Sequence, residues 1–430
     1  MARRRKLWIG LGALGLVVAG TVAFFVYHHP PMRLMPAPLI FQGADAELAP
    51  AALADGSRIG IFYATNRLPV GPEADRIYTV VPDRRLHLGQ ATLRIGEEGS
   101  TLDQLRDWTF GADTGDRPFI HLETMAEAAS LGADGAGGEP DPDVEAWLAE
   151  IDAALAQSAD RDILVYVHGA NTTVERAAGQ ASQLRHFSGR HGVVVLFAWP
   201  TAENFLRYAR DVGTAFASAP HLAELIALLA ERTAARNVDV FTYSAGATVG
   251  SHALALLAEQ NPEAASRLGE VYHAAPDADS RDFVDDLAAY AGAADRVTTA
   301  VNLGDSALRL AAAVNRASRA GRPDLGELTP EASQWLLDAA AGGEIEIVQV
   351  HPDTMPELAA TSHTFWYDDP WVSSDVLVTL LFDLPPAERE LDPGVSPSGA
   401  RYWTFPADYP EHIPPLRDRI RDRLQALRGG

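Results

Sequence analysis

The chain has no cysteine among its 430 residues. That excludes disulfides, thiolate metal sites and a cysteine nucleophile. Lysine is nearly missing as well: Lys6 is the only one, and arginine carries the remaining positive charge. Positive charge itself is scarce, with 35 basic residues against 58 acidic ones and a formal net charge of −23. Arg3, Arg4, Arg5 and Lys6 precede every acid, so the body behind them is more acidic still. A nucleic-acid binder needs a basic footprint, which this body lacks. No internal repeat is visible. Hydrophobic residues at 47% and charged residues at 22% are ordinary for a chain that buries a large core.

Charge is absent altogether from Leu7 to Tyr27. At about 1.5 Å per helical residue such a run spans roughly 30 Å, the thickness of a bilayer's hydrocarbon core. The Arg3–Lys6 cluster before it is expected to stay cytoplasmic. Residues 1–28 are therefore read as a basic stub and a single-pass inner-membrane anchor, with the body in the periplasm or on the outer side. A cleaved signal peptide is the alternative. Residues 29–56, rich in Pro and Ala, are expected to be a tether. A main domain is expected over 57–380, with 98–160 insertion-like, and a C-terminal extension over 381–430. Pro410–Leu427 reads as an exposed amphipathic helix with Arg417, Arg419, Arg421 and Arg423 mostly solvated.

From residue 161 onward, short β-branched runs alternate with helical spacing. Ile163–His168, Val193–Ala198, Val238–Tyr243, Glu270–Ala275, Arg296–Leu303 and Glu344–Val350 read as strands. Helices are expected around 173–188, 220–235 and 247–260. This alternation predicts an α/β fold with a mostly parallel sheet covered on both faces.

The run Val238–Tyr243 stops at Ser244, and small residues follow at helical spacing: Ala245, Gly246, Ala247 and Gly250. A strand, a tight turn and a helix with a serine at the apex form a nucleophile elbow. The glycine usual two residues before the serine is Thr242 here, and an ordinary strand-to-helix junction with a capping serine is the bland alternative. A serine hydroxyl needs a base, and the base an orienting acid. Of His252, His273, His351, His363 and His412, the base is assigned to His363, on a loop-like stretch after the last strand. His351 is the rival. Asp305, just after the strand at 296–303, is the favoured acid, with Asp277 and Asp279 as rivals. The tetrahedral oxygen needs two backbone donors, expected from Ala245 and from Ala170 in the loop after Ile163–His168. His168 is expected to hold that loop structurally.

Taken together, Phe62-Tyr63-Ala64-Thr65-Asn66-Arg67, Val165-Tyr166-Val167-His168-Gly169-Ala170-Asn171, Phe197-Ala198-Trp199-Pro200 with Tyr208 and Asp211, the serine elbow, Ala274-Ala275-Pro276-Asp277, Asp305-Ser306-Ala307-Leu308 and Ser362-His363 resemble an uncharacterised bacterial α/β-hydrolase family of esterase/lipase-like type. The resemblance spans roughly 58–380. It implies an α/β-hydrolase fold with Ser244 as nucleophile, Asp305 as acid and His363 as base. The family's elbow usually reads His-Ser-Met-Gly-Asn, and an aromatic usually stands where this chain has Ala170. Alanine at 170 and 245 should enlarge the acyl side of the pocket. The expectation is a membrane-anchored serine hydrolase acting on a small-molecule or lipid-like carboxylic ester, with no metal or organic cofactor needed. A thioesterase or amidase, and a catalytically idle envelope scaffold, are the alternatives.

Overall fold

A computed structural model describes residues 31–44, 56–112, 115, 117–132, 141–158, 160–188, 192–356 and 358–429. The apolar run 7–27 lies outside them. Eleven strands form one sheet: β1 (Arg58–Val70), β2 (Ile77–Ile95), β3 (Ile120–Leu131), β4 (Ile163–Val167), β5 (Val193–Phe197), β6 (Val238–Tyr243), β7 (Leu268–Ala274), β8 (Arg296–Val301), β9 (Glu346–Gln349), β10 (Asp392–Val395) and β11 (Arg401–Thr404). The helices are α1 (Leu102–Phe110), α2 (Pro142–Gln157), α3 (Val174–Phe187), α4 (Tyr208–Arg232), α5 (Gly246–Gln260), the short α6 (Pro262–Ala265), α7 (Ser280–Tyr290), α8 (Ser306–Asn315), α9 (Pro330–Gly342), α10 (Phe365–Asp368), α11 (Pro370–Phe382) and α12 (Tyr409–Gly429).

The strand order is β10-β11-β9-β8-β7-β6-β4-β5-β1-β2-β3. From β9 to β1 every neighbouring pair is parallel, while β1, β2 and β3 pair antiparallel at one edge. The central strands are buried along their length, which is why they read as continuous apolar runs. Their side chains alternate between two cores. Tyr166, Phe241 and Tyr272 face one, and Val165, Val167, Val240 and Val271 face the other. Because β4 sits between β5 and β6, the chain's winding reverses there, and the carboxyl ends of β4 and β6 open the crevice where α/β sheets bind ligands.

Several expectations change. Residues 31–44 are no loose tether: Leu34, Met35, Ile40 and Phe41 are buried in the core, Met35 N–H donates to Gln183, and Ile40 N–H to Ser374. The apolar residues interleaved with the prolines give this strap a hydrophobic reason to pack. The stretch 98–160 supplies β3 and α2 to the same sheet and core. The helix expected from 220 begins at Tyr208 and runs through Pro220. Its stripe of Ala215, Ala219, Leu222, Ile226 and Leu229 continues across the proline, so packing holds the helix despite the lost N–H. It is, among the described residues, the one helix long and apolar enough to cross a membrane, and its stripe is core.

The C-terminal extension is also built in. β10 and β11 extend the sheet, and Tyr409, Ile413, Leu416 and Ile420 on α12 pack into the core. Arg417, expected in solvent, donates to the carbonyls of Leu39, Ile40 and Gln42. A stripe at i, i+4, i+7 and i+11 is the reason α12 docks rather than floats.

Candidate active site

The chain turns sharply at the end of β6. Ser244 takes φ of 54°, a left-handed conformation that a serine adopts only when its surroundings impose it. Its N–H donates to Ala274 O (3.0 Å), and its carbonyl accepts from Asp277 N–H (2.9 Å). Thr242, in the place where such turns usually have glycine, fits because its methyl group lies against Gly250, which has no side chain to meet it. Its hydroxyl bonds His273 Nδ1 (2.7 Å). A β-branched side chain before the bend is thus accommodated one turn into α5.

His363 lies on the loop after β9. Its Nε2 is 2.8 Å from Ser244 Oγ, and its Nδ1 is 2.6 Å from Asp305 Oδ2. A carboxylate only accepts, so Nδ1 carries the proton and Nε2 is left to accept from the serine hydroxyl. Asp305 is wholly buried and held at both oxygens. Its Oδ1 accepts from the N–H groups of Ala307 (2.8 Å) and Leu308 (3.0 Å), capping α8. A negative charge at that helix N-terminus is favoured. Asn302 ties the acid's loop to the histidine's: its side chain accepts from Gly304 N–H and donates to Ser362 O (2.8 Å).

The rival residues are occupied elsewhere. Asp277 accepts from Tyr208 (2.6 Å) and pairs with Arg319, and Asp279 caps α7. His351 is half-exposed beside Asp353, His252 faces Asp286, and His412 lies between Glu390 and Asp408. His273 is buried between Thr242 and Tyr290, where burial pushes its imidazole down to about 3. His168 is buried too, stacked on Trp199 with ring centroids 5.6 Å apart. Its Nδ1–H donates to Gly169 O (2.8 Å), and burial, followed by the Arg67 charge, lowers it to about 3.

The loop after β4 lies directly against the serine: a side chain at Gly169 would bring its first carbon within 2.9 Å of Ser244 Cβ. Asn171 is held at φ of 52°. The N–H groups of Ala170 and Ala245 have no acceptor among the described residues. Asn171 N–H instead goes to the buried carboxylate of Asp211, which also accepts from Ala202 N–H (2.7 Å). Burial pushes Asp211 up to about 6.

A clamp that sequence reasoning did not assign sits behind this loop. Thr65 donates to Ala198 O (2.6 Å) and Asn66 to Ser218 (3.1 Å). The fully buried Arg67 donates to Trp199 O (3.0 Å), Thr172 O (3.1 Å) and Glu203 (2.7 Å). Trp199 in turn donates to His168 O (2.7 Å). The second half of β1 thereby fixes the loops after β4 and β5. The available signal was an arginine three residues after the run Ile59–Ala64, with Asp211 appearing later as a second fixed charge. Among the described residues no three His, Asp or Glu side chains gather as metal ligands.

Residues 144–374, more than half of the chain, match the family model described as "Alpha/beta hydrolase of unknown function (DUF900)". No curated protein matches the chain. Among solved structures it is similar to esterase B from Lactobacillus rhamnosis, inhibited with a tributyrin phosphonate. The identity is 14% over 52% of this chain and 75% of that one, with a TM-score of 0.28. A parallel sheet wound in two directions, a serine on a left-handed bend at its carboxyl edge and the family match agree: the chain belongs to this α/β-hydrolase family.

Proposed function

We propose that the chain is a serine hydrolase that cleaves carboxylic esters through an acyl-enzyme. The supporting observation is the unbroken relay from Ser244 Oγ through His363 to Asp305, at 2.8 and 2.6 Å. Ser244 attacks the ester carbonyl as His363 Nε2 takes its proton. Asp305 keeps the ring in that tautomer and balances the imidazolium, without itself taking a proton. The negative oxygen that forms is held by the N–H groups of Ala170 and Ala245; the Arg67 and Asp211 contacts hold the loop of the first and the bonds of the Ser244 bend hold the second, so little rearrangement is needed as charge develops. His363 then passes the proton to the leaving alcohol. Water, activated by the same imidazole, releases the acid.

Small side chains at 170 and 245 favour esters with bulky acyl groups. The run Leu7–Tyr27 behind Arg3–Lys6 supports a single-pass anchor in the inner membrane, with this chemistry on the outer side. Gly250 leaves room for the Thr242 methyl group, so this departure from the usual elbow gives no support to the idle-scaffold alternative.

The test is rapid mixing with p-nitrophenyl esters of increasing acyl size. The expected result is a burst of one nitrophenolate per active site, lost in Ser244→Ala, with turnover favouring branched acyl groups. Absence of hydrolysis with every ester, or an unchanged rate in Ser244→Ala, contradicts the proposal.

A further inference from the structure

A cavity of about 290 Å³ lies between the sheet and the helices on one of its faces. Its walls are Phe283, Val284 and Leu287 of α7, Leu336 of α9, Val301 of β8 and Ile347 of β9. The hairpin β10–β11 borders it at the edge of the sheet, through Ala400 and Tyr402. None of Ser244, Asp305 and His363 lines it. Two hydroxyls stand along its length, those of Ser280 and Thr299, and that of Ser280 already accepts from Ser318 (2.8 Å). The other polar side chains keep to its ends: Gln349 at the carboxyl edge, and Ser396, Ser398 and Arg401 around the hairpin turn. Ile345, Ile347 and Gln349 line it in succession. Four residues at about 3.3 Å each make it roughly 13 Å long beside β9.

Protein interiors are close-packed, with few voids larger than a water molecule. A wall with so few polar groups gives water little to bond, and a space lined by Leu, Ile and Phe at roughly half this volume stays dry and takes up benzene. An aliphatic ligand suits such a cavity better than water does. At the carboxyl edge the cavity adjoins a recess of about 520 Å³, and the two share Leu303, Pro323 and Leu325. Leu303 and Pro323 are exposed and Leu325 is half-buried, so these three form a lip. The chemistry changes across it. The recess is lined by Arg316, Arg322, Asp324 and Glu327. Charges of both signs suit a hydrated polar group and disfavour hydrocarbon. Apolar depth on one side of a lip and charge on the other is the complement of an amphiphile.

We propose that this cavity binds the aliphatic chain of a single-chain amphiphile, a fatty acid or a lysolipid, with its polar head in the recess beside Arg316 and Arg322. The site contains no triad residue and stands whether or not the chain cleaves esters. Burial of the chain supplies the affinity, and the few polar groups at the lip fix its direction.

The experiment uses the full chain in digitonin, a detergent without an alkyl chain. Fluorescence of cis-parinaric acid reports binding, and laurate and lauroyl lysophosphatidylcholine compete with it. The expected result is saturable uptake of one probe per chain, displaced by at least one competitor, with Ser244→Ala binding as the wild type does. Displacement by laurate alone identifies a fatty acid as the ligand, and displacement by the lysolipid alone identifies a lysolipid. Val284→Phe and Ile347→Phe each put a ring into the cavity, from opposite walls, in the room of several methylenes. Each should weaken the probe about 10- to 100-fold and abolish the rise in Tm that the probe gives the wild type. Leu303→Glu leaves the core untouched and sets a carboxylate on the lip, so the anionic probe should bind about tenfold more weakly. The proposal is overturned by a wild type without saturable uptake, by folded Phe variants that bind as the wild type does, or by loss of binding in Ser244→Ala. If neither Phe variant folds, unchanged binding by Leu303→Glu overturns it.

Discussion

Two buried carboxylates at opposite edges of the sheet are held differently. At the carboxyl edge, Asp305 is wholly buried and meets an imidazole and two backbone N–H groups, with no arginine. At the amino edge, Asp375 is equally buried but meets Arg389, which also holds Glu346. Arg296, the first residue of β8, adds Glu270 and Glu346 to the same network. An arginine cannot give up its proton, so the amino-edge network is closed and can only hold the strands together. A histidine can, so under the proposed mechanism the carboxyl-edge chain ends on the hydroxyl that reacts. The difference teaches that burial of a carboxylate is common to both edges, and that its partner decides between architecture and chemistry.

Replacing one buried carboxylate or its partner at each edge should give opposite results. Asp305→Asn should lower kcat by about 10³- to 10⁴-fold, because the amide favours the wrong imidazole tautomer while still capping α8. Stability should change little. Steady-state ester kinetics with a thermal melt checks this, and near-normal turnover would break the comparison. Arg389→Ala should do the reverse. It leaves Asp375 and Glu346 short of a counter-charge and should cost about 3–5 kcal/mol in urea unfolding, with turnover of the folded fraction within a few-fold of wild type. Full stability in that variant would show that the amino-edge network is not structural.

A smaller effect should appear with pH. Burial pushes Asp160 and Glu270, both at the amino edge, up to about 7. A raised carboxyl pKa means the folded chain holds the proton more tightly than the unfolded one. That contribution is complete below about pH 4 and is lost as pH rises through about 7. His168 and His273, pushed down to about 3, oppose it only below about pH 6.5, where the unfolded histidines charge. Between pH 6.5 and 8.5, therefore, Tm should fall by a few °C. Glu270→Gln should flatten part of that slope. A Tm that climbs across the same range contradicts the assignment.

What the sequence made legible follows the same division. Ser244, Asp305 and His363 each stand at the end of a strand or on the loop after one, and strand, turn and helix are local patterns. The relay brings together residues 119 and 58 positions apart, yet each piece announced itself locally. The amino-edge network did not, since Arg389, Glu346 and Asp375 carry no local pattern. The strap at 31–44 and α12 were misread for the same reason. Proline and alanine suggested a tether, and four arginines on α12 suggested solvent. The deciding contacts, such as Arg417 to the carbonyls of 39, 40 and 42, span almost the whole chain. Arg67 stood in a quoted motif, yet its role was hidden likewise, because an arginine's partners cannot be read from its neighbours in sequence.

The most direct measurement is reaction of the full chain with a fluorophosphonate, followed by peptide mass spectrometry. The account predicts one adduct per chain, on Ser244, forming at least a hundredfold more slowly once His363 is replaced by Ala. A chain left unmodified at Ser244, or one modified equally fast without His363, would contradict it.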